Sequence, residues 1–318
     1  MQAAGLRPLL LKGPPVARWL YPDDPAARQY VDVDILVGPT ERDSARSVLD
    51  RLGFDKRSAE LADDVPNHAE QWDRRRDGAA VDLHRTLHGC EELCDEDIWA
   101  EATASAQSLE VGGAVVDVPS PVVLTLHAVL HLAANDRPGS QTWLDLSRAI
   151  EQVGKGTWLE AADLARRIGV DGEMSAKLRM LSPALAADLG LDAPAPLRML
   201  LLREGSGAPG FGRLAELVGP RAKARYCRQK LFPPRSYLRQ SLAIAERGPI
   251  GLVIAYVVRS TWGVSRLPMA VTGWLRARSH YRQSAAPANT TGGAPVESSA
   301  VHSRRRSALR SPPARPGR

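Results

Sequence analysis

The chain has 318 residues, 44% of them hydrophobic and 25% charged, which supplies real apolar cores and room for two modest domains. Three cysteines, Cys90, Cys94 and Cys227, exclude a disulfide framework, and the opening MQAAGLRPLLLKGPP lacks the basic and apolar regions of a signal peptide, so a cytoplasmic protein without a transmembrane segment is expected. The formal charge of +6 is bipolar, with −11 over residues 1–202, +12 over 203–282 and +5 over 283–318, which leaves nucleic acid a possible but disfavoured partner.

In chain order, LLLKGPPVARWLY (9–21) predicts a short strand, a Lys12-Gly13 turn and a helix whose first turn accepts Pro14 and Pro15. YVDVDILV (30–37) predicts a strand, with Val31, Val33, Ile35 and Val37 on a buried face and Asp32 and Asp34 displayed on the other. PTERDSARSVLDRLGF predicts a helix capped by Thr40, with Val48, Leu49 and Leu52 inward and Gly53 as its stop. AAVDLHRTL (79–87) alternates as a strand carrying Asp82 and His84, and SLEVGGAVVDVPS (108–120) predicts a hairpin around Gly112 and Gly113. After Pro121 the pattern is helical throughout, which places a domain boundary near Val118. The expected organisation is a catalytic domain over 1–118, a helical substrate-side domain over 119–282, and a basic tail over 283–318 too poor in large apolar residues to fold. GPIGLVIAYVV (248–258) is too short to span a bilayer and reads as a buried or interfacial helix. The arginines and aromatics of 219–240 suit RNA, anionic lipid or an acidic substrate, with docking onto the acidic first half of the chain as the favoured reading.

Two carboxylates one residue apart on a strand face repel unless a cation sits between them. Asp32 and Asp34, joined by Asp82 if the two strands are neighbours, form an oxygen-only ligand set that suits Mg2+ or Mn2+. Such a pair of ions activates a hydroxyl and stabilises leaving pyrophosphate. Gly13 before a helix, Lys12 and Arg28 are the candidate nucleotide-binding residues, and His84 is placed to hydrogen-bond a metal-bound carboxylate. His127 and His131, one helical turn apart, read as packing residues, and the run His84, His88, Cys90, Cys94 is too compressed for a structural zinc site.

The order of these features resembles the polymerase-beta-like nucleotidyltransferase superfamily, and within it the uncharacterised bacterial nucleotidyltransferase family proteins. The resemblance rests on Leu11 to Gly13, Tyr21 and Pro22, Arg28, DVDILV and VDLH, and on the downstream LHAVLHLA, WLDLSRAI and KLFPPRSYLRQ. It implies an α+β fold, a small mixed sheet with flanking helices followed by a helical domain. The implied activity is metal-dependent transfer of a nucleoside monophosphate, or a related phosphoryl group, from a nucleoside triphosphate such as ATP to a hydroxyl-type acceptor on a small molecule, peptide or protein. Asp32, Asp34 and Asp82 would be the catalytic and metal-binding residues. One departure is Pro14, which follows Gly13 where the superfamily has Gly or Ser and which lacks an amide hydrogen. The alternatives are a non-catalytic nucleotide-sensing or interaction protein on this fold, and an RNA-associated protein acting through the basic C-terminal region.

Overall fold

The computed structural model describes residues 1–57, 67–132, 138–205 and 207–285, and from residue 286 the expected basic tail lies outside the described residues. Seven strands form among the described residues, β3 and β4 without a β-branched run to announce them: β1 (Leu9–Leu10), β2 (Asp32–Leu36), β3 (Asp55–Lys56), β4 (Ala69–Arg74), β5 (Ala79–His84), β6 (Gln107–Val111) and β7 (Ala114–Val118). They join in one mixed sheet of order β3-β4-β5-β2-β1-β7-β6. β2 runs parallel to β5 and antiparallel to β1, and β1 runs parallel to β7. β6 and β7 are the hairpin expected around Gly112 and Gly113.

The helices flanking the strands are α1 (Pro14–Leu20), α2 (Arg42–Arg51) and α3 (Asp95–Thr103). From Pro121 onward only helices follow: α4 (Pro121–His131), α5 (Gln141–Gln152), α6 (Lys155–Ile168), α7 (Asp171–Leu181), α8 (Pro183–Asp188), α9 (Leu197–Glu204), α10 (Ala208–Glu216), α11 (Pro220–Leu231), α12 (Arg235–Ser241), α13 (Gly248–Ser265) and α14 (Leu267–Ala285). The architecture is therefore the expected mixed sheet with flanking helices followed by a helical region.

Both faces of the central strands are covered by helices, while the β6–β7 hairpin stays largely exposed. On one side Val37, Val81, Leu83 and Trp72 pack with Ala45, Val48 and Leu49 of α2. On the other, Leu9, Leu11 and Leu36 join Leu126, Leu130, Leu146, Trp158 and Met174 of the helical region, so one apolar core runs across position 118. This second face is the one that carries the aspartates, because Leu36 lies two residues from Asp34 on the same side of the strand. The aspartates do share the face opposite Val33, Ile35 and Val37, but the expected burial of Val31 is corrected: it precedes the strand and is 88% exposed, whereas Asp34 is buried. Alternation sorts side chains by face but says nothing of what covers each face, and β2 is an interior strand under a helical layer.

Two local readings also change. Thr40 lies in a 3-10 turn, Pro39–Glu41, and α2 starts at Arg42 with no side-chain cap. Leu52 falls beyond the end of α2 and is half exposed. Within the basic stretch expected to dock on the acidic first half, α11 packs mainly on α10 and α13.

Candidate active site

The turn before α1 and the two central strands converge on one point. Gly13 adopts φ 75°, a left-handed conformation that favours glycine, and a Cβ there would meet the Tyr30 ring at 3.3 Å. This turn brings Lys12 beside β2, where Leu11 N–H donates to the carbonyl of Asp34. In the parallel pairing of β2 with β5, Asp34 lies directly opposite Asp82 and Leu36 opposite His84. Donor atoms of Asp34, Asp82 and His84 all lie within 4.8 Å of one another.

A cavity of about 450 Å3 opens over this point. Lys12, Gly13, Arg28, Asp32, Asp34 and Asp82 all line it, with His127, His131 and Asp145 contributed by α4 and α5. His84 lies behind Asp34, where its Nε2 is 2.9 Å from Asp34 Oδ1. Lys12 Nζ donates to the same Asp34 oxygen at 2.6 Å and to His131 Nε2 at 2.8 Å. His131 can accept that proton only through an unprotonated Nε2, consistent with burial and the Lys12 ammonium, which keep its pKa well below the usual value.

The two central carboxyls sit in opposed electrostatic environments. Burial pushes Asp34 up, but hydrogen bonds and charge from His84 and Lys12 outweigh it and hold the carboxyl well below its usual range. Asp82 is pushed up to about 6, first by burial and then by the Asp34 and Asp32 carboxylates. Among the described residues neither Asp32 nor Asp82 has an ion-pair partner, although both line the cavity. One ammonium against three carboxylates leaves a site short of positive charge, and oxygen donors in this density fit a hard divalent cation.

Arg28 is anchored from the side. Its Nε and Nη2 donate to both oxygens of Asp145, at 2.8 to 3.1 Å, and Tyr21 and Gln141 donate to the same carboxylate. Nη1 of Arg28 is buried without a partner among the described residues. Both ring nitrogens of His127 are likewise buried and unpartnered.

Sequence reading passed over three cavity residues. His127 and His131 carried a signal in their spacing, one turn apart, but nothing in the spacing told packing from a polar cavity wall. Asp145 had no signal beyond its place in WLDLSRAI. The nearby Cys90 is buried, its thiol pushed up to about 12 by burial, and Cys94 is exposed and bonds Glu96. The histidines of that run instead split between two groupings, His84 with Asp34 and Asp82, and His88 with His68 and Glu91.

No curated protein matches the chain at a significant level. Residues 1–182 match the family described as uncharacterised nucleotidyltransferase, a span that contains the strand, turn and cavity residues above. The paired aspartate strands, the glycine turn with its lysine and the helical wall over them are thus features of a chain that belongs to the uncharacterised nucleotidyltransferase family.

Proposed function

We propose that this protein transfers a nucleoside monophosphate from a nucleoside triphosphate to a hydroxyl-type acceptor with a divalent metal, Mg2+ or Mn2+. Membership of a nucleotidyltransferase family supports nucleotidyl transfer in general. The observation that carries the finer reading is the register of Asp34 against Asp82, with Asp32 and Lys12 in the same cavity.

Asp32, Asp34 and Asp82 would hold the cation, which when bound offsets charge on the phosphates and favours the ionised form of an attacking hydroxyl. Asp82, in register with Asp34 and lining the cavity, is placed to take the proton of the acceptor hydroxyl. His84 fixes the rotamer of Asp34 by its Nε2 hydrogen bond. Lys12 brings a positive charge to the triphosphate, and Gly13 lets it approach the backbone of the turn closely. Arg28, oriented by Asp145, has Nη1 left to donate to a phosphate oxygen. The cavity wall of α4 and α5 limits water around the reacting groups.

The test is the melting temperature with each of the four nucleoside triphosphates, with and without Mg2+ or Mn2+, beside an assay for pyrophosphate. A triphosphate at a hundred times its dissociation constant stabilises by about 2.7 kcal/mol. A metal-dependent shift and pyrophosphate release, both lost in Asp32→Asn, are expected. The absence of both with all four triphosphates would overturn the reading. Pro14 at the first position of α1, without an amide hydrogen to offer a phosphate, favours one alternative, a protein that binds nucleotide without turnover. A metal-dependent shift with no pyrophosphate from any offered acceptor would select it.

A further inference from the structure

The last two helices are built inside out. α13 turns its small residues inward: Gly251 and Ala255 are buried, and a Cβ on Gly251 would clash with the carbonyl oxygen of Ile244. Leu252 and Tyr256 join that inner side, while most of the helix's other large apolar residues face out. Ile250, Val253, Val257 and Val264, at 77%, 62%, 57% and 61% exposure, recur at helical spacing and are joined by Ile254 and Val258. α14 likewise exposes Leu267, Met269 and Leu275. Scattered exposed apolar residues are ordinary, but a stripe of them along one side of a helix marks a surface that is covered in use.

The charge on this segment says by what. Residues 247–285 contain six arginines and no aspartate or glutamate. Arg259 and Arg266 lie over the ring of Trp262, and Arg278 over that of Trp274. Beside the helix junction an apolar cavity of about 470 Å3 is lined by Phe211, Leu214, Trp262 and Leu267, with Lys230 and Arg266 as its cations. No described helix is long and apolar enough to cross a membrane.

We propose that the α13–α14 face lies on an anionic lipid surface, with the aliphatic stripe in the acyl boundary and the arginines at the headgroup phosphates. Apolar residues on one face, flanked by arginine and tryptophan and lacking acid, are what an interfacial helix needs. A second copy of the chain is a poorer occupant, because two such faces would bring together arginines of which only Arg276, with Glu204, has an acidic partner among the described residues. Nucleic acid would satisfy the arginines but leave the aliphatic stripe in water. The inference is independent of the nucleotide chemistry, since none of these residues lines the aspartate cavity.

The experiment is flotation of the full chain with vesicles of phosphatidylcholine containing about one-third phosphatidylglycerol, beside vesicles of phosphatidylcholine alone. The protein should float with the anionic vesicles and at least about tenfold less with the neutral ones. The triple variant Ile250→Ser, Val253→Ser, Val257→Ser removes only exposed side chains and should melt as the wild type does while losing about tenfold or more of the anionic binding. Wild type that stays in solution overturns the proposal. So does a triple variant that floats as well as wild type, which would assign the attraction to basic charge elsewhere, the tail included. A wild-type dimer that the triple substitution dissociates, with neither protein floating, would also overturn it, in favour of a second copy.

Discussion

Asp34 and Asp82 are direct cross-strand partners on adjacent parallel strands, and their surroundings drive the two carboxyls in opposite directions. Asp34 receives hydrogen bonds from Lys12 and His84, whereas Asp82 faces the charges of Asp34 and Asp32. Pairs of titratable groups pushed apart in this way commonly divide acid–base roles between them.

The two asparagine variants should therefore differ in sign. Asp34→Asn removes the charged acceptor of two hydrogen bonds and should cost about 2 kcal/mol at neutral pH. Asp82→Asn removes a repelled charge and should stabilise the metal-free protein, on the order of 1 kcal/mol once solvent screening is allowed for. Urea denaturation in the presence of a chelator measures both, and both variants should lack turnover.

The pH dependence follows from the same two shifts. The folded pKa of Asp82 lies above its unfolded value, so its ionised form costs stability above about 6, and that cost disappears as the pH falls toward 4. The advantage of Asp82→Asn over wild type should shrink across this window. Asp34, lowered in the folded state, contributes stability above its unfolded pKa that is lost only as the pH falls below that value. Melting curves from pH 7 to pH 4 in chelator separate the two.

Asp145→Ala should be among the most damaging single changes in the helical wall. It leaves the buried Arg28 guanidinium without its carboxylate, a loss that typically costs about 3 to 5 kcal/mol. Asp145→Asn, which retains an acceptor oxygen, should lie between the alanine variant and wild type. Chemical denaturation ranks the three.

His127→Leu distinguishes a packing residue from one kept for chemistry. Both nitrogens of His127 are buried and unpartnered, so an apolar replacement of similar size should leave the melting temperature unchanged or raise it. If His127 touches the acceptor, kcat/KM for the acceptor should fall about tenfold or more while nucleotide affinity is unchanged. An unaltered kcat/KM would return His127 to packing.

Lys12→Met keeps the length of the side chain and removes its charge. Nucleotide affinity should weaken about tenfold, the equivalent of about 1.4 kcal/mol, and calorimetric titration with a nucleoside triphosphate reads it directly.

Local rules in the sequence determined five of the seven strands, all but β3 and β4, the glycine turn at Gly13, the hairpin at Gly112 and Gly113, and the change to helices after Pro121. Each depends on periodicity or on a backbone conformation that few residues adopt. The alternation in DVDILV placed both aspartates on one face for the same reason. Only tertiary structure decided that this face is roofed by α4 and α5, that Asp82 stands in register with Asp34, and that His127, His131 and Asp145 complete the cavity. Those relations join residues between about fifty and more than a hundred positions apart, and they depend on strand order and helix packing, which no local pattern encodes. The outward stripe of α13 belongs to the same class: apolar residues repeat along both of its sides, and it is the close approach of Gly251 to Ile244 that selects which side turns inward.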